Sequence, residues 1–335
     1  RDLNRVDRRQ RQRVIRDRGF SGGLVEQHLR EEIIIQKLAN LIGRQALVTP
    51  LEIQRTFDTL LDSFTVEYAA LKRDDVAANV RVAQESVDVA ADQGARLVVL
   101  PETWVFKGDA EGIAATAEGP EGPSNRALAA VAARRGVWLL AGSVYEPASG
   151  GLVHNTSALF DPAGRLRAVY RKIHLFDATT TTAAYRESEE VAPGAAIVAA
   201  DVDTADGVRV RLGLTICYDL RFPGLYSSLA LRGAQVLCVP SAFTAQTGAA
   251  HWEVLLRARA IENGCFVVAP NQVGEHLPGR DCYGNSMIVD PWGVVLARLV
   301  GGVGVCVADL DLARLEEVRA TIPSLEHRRA DLCGC

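Results

Sequence analysis
The sequence predicts an α/β fold in which helices cover two sheets. Three observations carry this. Apolar strand-like runs alternate with helix-periodic stretches from Asp74 onward. Some runs pair as hairpins, as around "DPAGR" (Asp161 to Arg165), so the sheets mix antiparallel pairs with βα units. The chain has 335 residues, 48% of them hydrophobic, which is enough apolar material for a layered core.

The elements follow in order. "DDVAANVRVAQESVDVAADQG" predicts an Ala-rich helix closed by Gly94, and "ARLVVLPE" a buried strand. "GPSNRALAAVAARRG" predicts a helix closed by Gly136, "VWLLAGSVYE" a strand, and "LVHNTSALFDPAGRLRAVYRKIHLF" a hairpin. "VRVRLGLTI" is a strand, "PGLYSSLALRG" a helix and "AQVLCVP" a strand. "AAHWEVLLRARAIENG" is a helix, followed by strands in "CFVVAPNQ", "GNSMIVD" and "GVVLARL". The first 63 residues differ. "VEQHLREEIIIQKLANLIG" and "TPLEIQRTFDTLLDSF" have helical spacing, and "FTVEYAAL" then reads as a strand. The expected division is a helical extension over 1–63, a main domain over 64–332 and a tail over 333–335.

Charge and cysteine usage exclude several classes. A net charge of −4 argues against a nucleic-acid binder. The eight Arg and three Asp of residues 1–19 fit a solvated helical face better than a nucleic-acid arm. No apolar run is long enough for a transmembrane helix, and no secretory leader is expected. Seven scattered cysteines form neither a disulfide framework nor a CxxC metal spacing, so a cytoplasmic location without a metal is expected. Cys238 and Cys306 lie in strand-like runs and read as small buried hydrophobes.

Cys217 is different. In "RLGLTICYDLRFPGL" it stands where a strand ends, and Pro223 is placed to open a helix. A helix N-terminus favours thiolate, and the next backbone N–H can face a developing oxyanion. A packed core cysteine is an equally good reading of this stretch alone. Glu102 follows the strand "RLVVLP" and is a candidate general base, or simply a solvated glutamate. Lys172 in "VYRKIHLF" could stabilise an oxyanion, or be a surface lysine. His174 is a weaker base candidate, because the sequence offers it no evident acidic partner. Glu187 in "YRESEE" could orient substrate or the lysine, or belong to a solvated acidic cluster.

Taken together, "VLPE", "YRKIHLFD", "YRESE" and "GLTICYDLRFP" form an ordered set. It resembles the nitrilase superfamily of carbon–nitrogen hydrolases, and the likeness runs over about residues 74–332 through "YGNSMIVDPWG" to "HRRADL". Within that superfamily it is most similar to the deaminated-glutathione amidase and ω-amidase branch. The resemblance implies a four-layer α-β-β-α sandwich and a homodimer or higher homo-oligomer. It implies Glu102 as general base, Cys217 as nucleophile, and Lys172 with the backbone N–H of Tyr218 as oxyanion stabilisers. Glu187 matches the second glutamate, and Arg221 is placed to pair a substrate carboxylate or, equally, Asp219. The implied reaction is hydrolysis of small carboxylated amides through a thioester, with no cofactor. Alternatives are hydrolysis of nitriles, or an impaired chimera acting as an interaction module. Residues 1–72 do not fit and weakly resemble the helical N-terminal region of periplasmic peptidyl-prolyl isomerase chaperones. Gly224, Asn285 and the stretch "ATTTTAAYRES" depart from the superfamily pattern.

Overall fold
The computed structural model describes residues 75–180, 183–203, 207–329 and 331. The expectations for 1–63, for "FTVEYAAL" and for the tail lie outside the described residues.

Helix α1 (Val76–Asp92) starts where the Asp75 carboxylate accepts from the Ala78 N–H at 2.8 Å. It packs beside α3 (Pro123–Arg135), which opens on its proline and ends at Gly136, φ 63°. Between them in sequence lie β1 (Leu97–Val99) and the short α2 (Ala110–Thr116). One sheet has the order β1–β2–β4–β3, from β2 (Trp138–Leu140), β3 (Val144–Pro147) and β4 (Val153–Phe160), with β5 (Leu166–Arg171) paired to β4.

A hairpin of β6 (Asp177–Thr179) and β7 (Ala184–Arg186) precedes the second sheet. That sheet runs β15–β14–β11–β10–β9–β8. Its strands are β8 (Ala199–Asp203), β9 (Arg209–Leu214), β10 (Val236–Cys238), β11 (Phe266–Ala269), β14 (Met287–Val289) and β15 (Val295–Arg298). β9, β10 and β11 are parallel and the rest antiparallel. Helices α4 (Pro223–Leu231) and α5 (Ala245–Asn263) cover it. β12 (Val273–Leu277) and β13 (Arg280–Tyr283) form a separate hairpin, and α6 (Leu312–Thr321) follows β15.

Alternation along the strands builds the layers. In β2, Trp138 and Leu140 join the core that contains the second sheet, whereas Leu139 joins the core under α1 and α3. In β4, Leu159 faces the first of these cores, and Ala158 and Phe160 the second. The Trp138 indole N–H also donates to the Asp203 carbonyl of β8 at 3.0 Å, tying sheet to sheet. The result is the expected α-β-β-α sandwich.

The structure corrects some details. "VWLLAGSVYE" is two strands, because Gly142 (φ 58°) breaks it. A Cβ at Gly142 would sit 2.0 Å from the Pro101 carbonyl oxygen, so only glycine lets this corner pass beneath the residue before Glu102. The α5 helix begins at Ala245, four residues before the expected start at Ala249. Cys238 is fully buried, and burial pushes its thiol up to about 12. Cys306 is only partly buried and lies outside any strand.

Candidate active site
Four chain segments just past strand ends converge, as function does at the carboxyl ends of strands in α/β sheets. Glu102 lies three residues beyond β1, Lys172 one residue beyond β5 and Cys217 three beyond β9, while Pro240–Ala242 follow β10. Lys172 is therefore not within its strand, as the sequence suggests.

Cys217 begins a 3-10 turn (Cys217–Arg221) with φ 47°, a left-handed conformation rare for a side-chain-bearing residue. Its N–H donates to the Pro240 carbonyl at 2.9 Å, and the Ile216 N–H donates to the Asp219 carboxylate at 2.9 Å. Glu102 is 2% exposed. Its Oε1 accepts from the Lys172 ammonium and from Asn155 Nδ2, both at 2.9 Å, and its Oε2 accepts from the Ala242 N–H at 2.8 Å. The Lys172 ammonium, also 2% exposed, donates to both oxygens of Glu187, at 2.9 and 2.8 Å. The Phe176 N–H donates to Glu187 Oε2 at 2.6 Å.

The electrostatics follow from this packing. Burial pushes Glu102 up, but the Lys172 charge, assisted by Lys107, overrides it and holds the carboxyl at about 2. Burial pushes Lys172 down, but Glu102 and Glu187 together hold it well above the ordinary lysine value. Burial and then the Glu102 charge push the Cys217 thiol well above its ordinary value, against the pull of Lys172. The resting group is a neutral thiol beside an ionised carboxylate. This corrects the expectation of a thiolate at a helix N-terminus: α4 starts six residues later, at Pro223, and buried surroundings dominate. The Glu102 carboxylate acts electrostatically on this thiol and is the candidate to accept its proton.

The other candidates fall into place as follows. His174 has an acidic partner after all: its backbone N–H and Nδ1 lie 3.0 and 2.7 Å from Asp219 Oδ1, and its ring stacks on Phe222. Asp219 also accepts from the Tyr170 hydroxyl at 2.6 Å. His174 thus braces the cysteine turn. Asp219 is not the partner of Arg221, whose guanidinium lies over Phe243 and Tyr218 and 3.3 Å from His251 Nδ1, with no carboxylate partner among the described residues. Sequence reasoning missed Asn155 and Lys107. Asn155 reads as one polar residue in a strand, and only the folded chain sets its Nδ2 against Glu102, 53 residues earlier. Lys107 follows Glu102 by five residues in "PETWVFKG", a spacing that matches no motif. Among the described residues no cluster of His, Cys, Asp and Glu is placed to hold a metal ion.

Comparison with known proteins places the chain in a family. Residues 65–320 match the carbon–nitrogen hydrolase family. The deaminated glutathione amidase of Synechocystis sp. is 42% identical over 259 residues, covering 76% of this chain and 94% of that one. The C. elegans NitFhit protein has a TM-score of 0.71 at 40% identity, covering 77% of this chain and 63% of that one, so the chain spans less than two thirds of NitFhit. A mutant amidase from Nesterenkonia sp. AN1 has a TM-score of 0.65 at 28% identity, covering 80% of this chain and 93% of that one. It carries the acetamide moiety of fluoroacetamide on its active site cysteine. The chain belongs to the carbon–nitrogen hydrolase family and is an amidase of the nitrilase superfamily, related to the deaminated glutathione amidases.

Proposed function
We propose that the protein hydrolyses small carboxylated amides, ω-amides and deaminated-glutathione-like compounds, through a thioester on Cys217. The observation that carries this is the meeting of Cys217, Glu102 and Lys172 in one water-poor site. Glu102 takes the thiol proton as Sγ bonds to the amide carbon. The oxyanion develops beside the Lys172 ammonium and the Tyr218 backbone N–H. Glu102 then gives its proton to the departing nitrogen, the C–N bond breaks, and ammonia or an amine leaves. Water attacks the thioester carbon, passes a proton to Glu102, and the expelled thiolate takes that proton back. Glu187 holds Lys172 in place from the other side.

Arg221 supports the carboxylate preference, because it sits four residues past the nucleophile with no carboxylate of its own among the described residues. The exposed Val254 and Ile261 of α5, and Trp292 and Val294, support a homodimer. Five free thiols among the described residues support a reducing, cytoplasmic setting.

The test is ammonia release from 4-carbamoylbutanoate (glutaramate), with intact-protein mass to trap the acyl adduct. Cys217→Ser is expected to remain folded and lose nearly all turnover. Near-wild-type turnover in that variant ends the proposal.

A further inference from the structure
Three half-buried rings form a row that starts at the residue after Cys217. Tyr218 meets Phe176 edge-on at 5.0 Å between ring centroids, and Phe176 meets Tyr185 at 5.0 Å. The row is tied to the catalytic groups at two points. Tyr218 belongs to the 3-10 turn that presents the thiol, and the Phe176 N–H donates to Glu187 Oε2 at 2.6 Å. An arginine closes each end. The Arg221 guanidinium lies 5.9 Å from the Tyr218 centroid, and the Arg280 guanidinium lies 5.0 Å from the Tyr185 centroid. Arg280 opens β13, and backbone contacts hold this strand beside the site. The Tyr283 N–H donates to the Phe243 carbonyl at 2.8 Å, and Cys282 is bridged to Thr244. Phe243 in turn follows Ala242, whose N–H holds Glu102, and its ring lies under Arg221. Arg280 Nη2 donates to the Ala184 carbonyl of β7 at 3.2 Å. Glu190 feels the Arg280 charge, but among the described residues no ion pair reaches this half-buried guanidinium. Its remaining N–H donors are suited to a carboxylate.

We propose that Arg280 anchors an anionic group on the leaving amine of the substrate, with the row of rings as the track between it and Cys217. This rests on the reading of the protein as an amidase of carboxylated amides and deepens it. Arg221 takes the carboxylate of the acyl part, and Arg280 that of the amine part. Length decides the kind of amine. Two steps of 5.0 Å lead from the Tyr218 ring to the Tyr185 ring, and one extended residue covers about 3.3–3.6 Å. Ammonia covers none of that distance, whereas a dipeptide covers most of it. The favoured leaving group is therefore a short peptide-like amine that ends in a carboxylate. The bond broken and the proton delivered to nitrogen are those of the proposed hydrolysis, and only the amine differs.

The test compares N-glutaryl-glycylglycine with N-glutaryl-glycylglycinamide, which has the same length and scissile bond but an uncharged end. The reading is release of the dipeptide amine. Arg280→Gln is expected to lower the ratio of the two kcat/KM values by about tenfold or more, the worth of a hydrogen bond to a charged group. Arg280→Lys is expected to recover part of that ratio, since it keeps the charge and loses the planar fork. An unchanged ratio overturns the proposal, even where both rates fall together, because Arg280 would then act only by clamping β7. A binding arm adds N-glutaryl-glycylglycine to the Cys217→Ser protein, in which the compound persists. It is expected to raise the thermal midpoint of that protein more than that of Cys217→Ser with Arg280→Gln, with Arg280→Met replacing the glutamine variant if that one misfolds. Equal shifts overturn the proposal. If the wild-type protein cleaves glutaramate but neither dipeptide amide, the amidase reading stands and the Arg280 anchor is overturned. If it cleaves none of the three, the amidase reading fails, and the binding arm alone decides whether Arg280 holds a carboxylate.

Discussion

Lys172 neutralises the buried Glu102 and the partly buried Glu187 at once, and its removal acts on both stability and chemistry. Lys172→Ala leaves Glu102 and Glu187 without their cation, and losing one partner of a buried ion pair costs about 3–5 kcal/mol. The variant is expected to have a lower thermal midpoint and a kcat that falls more than KM rises. Lys172→Arg is not expected to restore kcat, since a planar fork cannot reproduce a point charge that donates to three carboxylate oxygens in a buried site. If both variants change only KM, Lys172 binds substrate and the proposed mechanism is wrong. Glu102 adds a pH signature. Its folded value of about 2 lies below the 4.5 of a free glutamate. The unfolded chain therefore binds this proton more readily, so the stabilisation is complete above 4.5 and is lost as pH falls toward 2. Urea midpoints between about pH 5 and about pH 3 are expected to change less steeply in Glu102→Gln than in the wild-type protein. Cys217, Glu102, Lys172 and Glu187 were legible because each closes a recognisable local string. The charge state of the thiol was not, because it depends on burial and on a carboxylate 115 residues away in sequence.

At the scale of elements, the cysteine turn is held by one carboxylate. Asp219 is fully buried and accepts from the Ile216 N–H, the Tyr170 hydroxyl and the His174 N–H, and its Oδ1 lies 2.7 Å from His174 Nδ1. It therefore joins the end of β5, which delivers Lys172, to the turn that presents Cys217. The positive φ of Cys217 needs such support, because a non-glycine residue in that region carries strain of about 1–3 kcal/mol. Asp219→Asn places an amide donor against one of these donors. It is expected to lower kcat by about tenfold or more with little change in KM, and to destabilise by about 1–3 kcal/mol, the penalty of an unsatisfied buried donor. Tyr170→Phe removes a single donor and is expected to do less. Equal kcat values for Asp219→Asn and the wild-type protein would show that the turn holds its shape without the brace. The strand and the proline-opened helix on either side of this turn were legible from period and cap signals. The brace was not: "CYDLR" offers Asp219 as a neighbour of Arg221, and only the packing of β5 against the turn assigns it to Tyr170 and His174.

At the scale of the molecule, most of the sandwich was legible because its strands are short apolar runs bounded by Gly, Pro and Asp. The elements missed were the polar hairpins β6–β7 and β12–β13, whose residues lack clear alternation, the edge strand β8, the seven-residue α2 and the C-terminal α6. One edge of the design points back to the sequence. Among the described residues β1 pairs only with β2, although Leu97 and Val99 are packed against the core. A cavity of about 900 Å³ runs along the same strand, lined by Leu97, Val98, Val99 and the stretch from Val303 to Leu310. An unpaired edge beside apolar lining invites association with other chains. The β-prone "FTVEYAAL" precedes Asp74, and the family match begins at residue 65, within it. We propose that this segment belongs to the hydrolase domain and that residues 1–62 do not. A chain starting at Ser63 is then expected to fold with an unchanged thermal midpoint and full amidase activity. One starting at Asp74 is expected to aggregate. The contrary outcome is specific: residues 1–62 carry apolar side chains such as Leu29 and Ile33, and burying an apolar side chain of this size contributes about 1.5–3 kcal/mol. If the Ser63 chain loses several degrees in thermal midpoint while the Asp74 chain fares no worse, residues 1–62 are an integral layer and the proposed boundary is wrong.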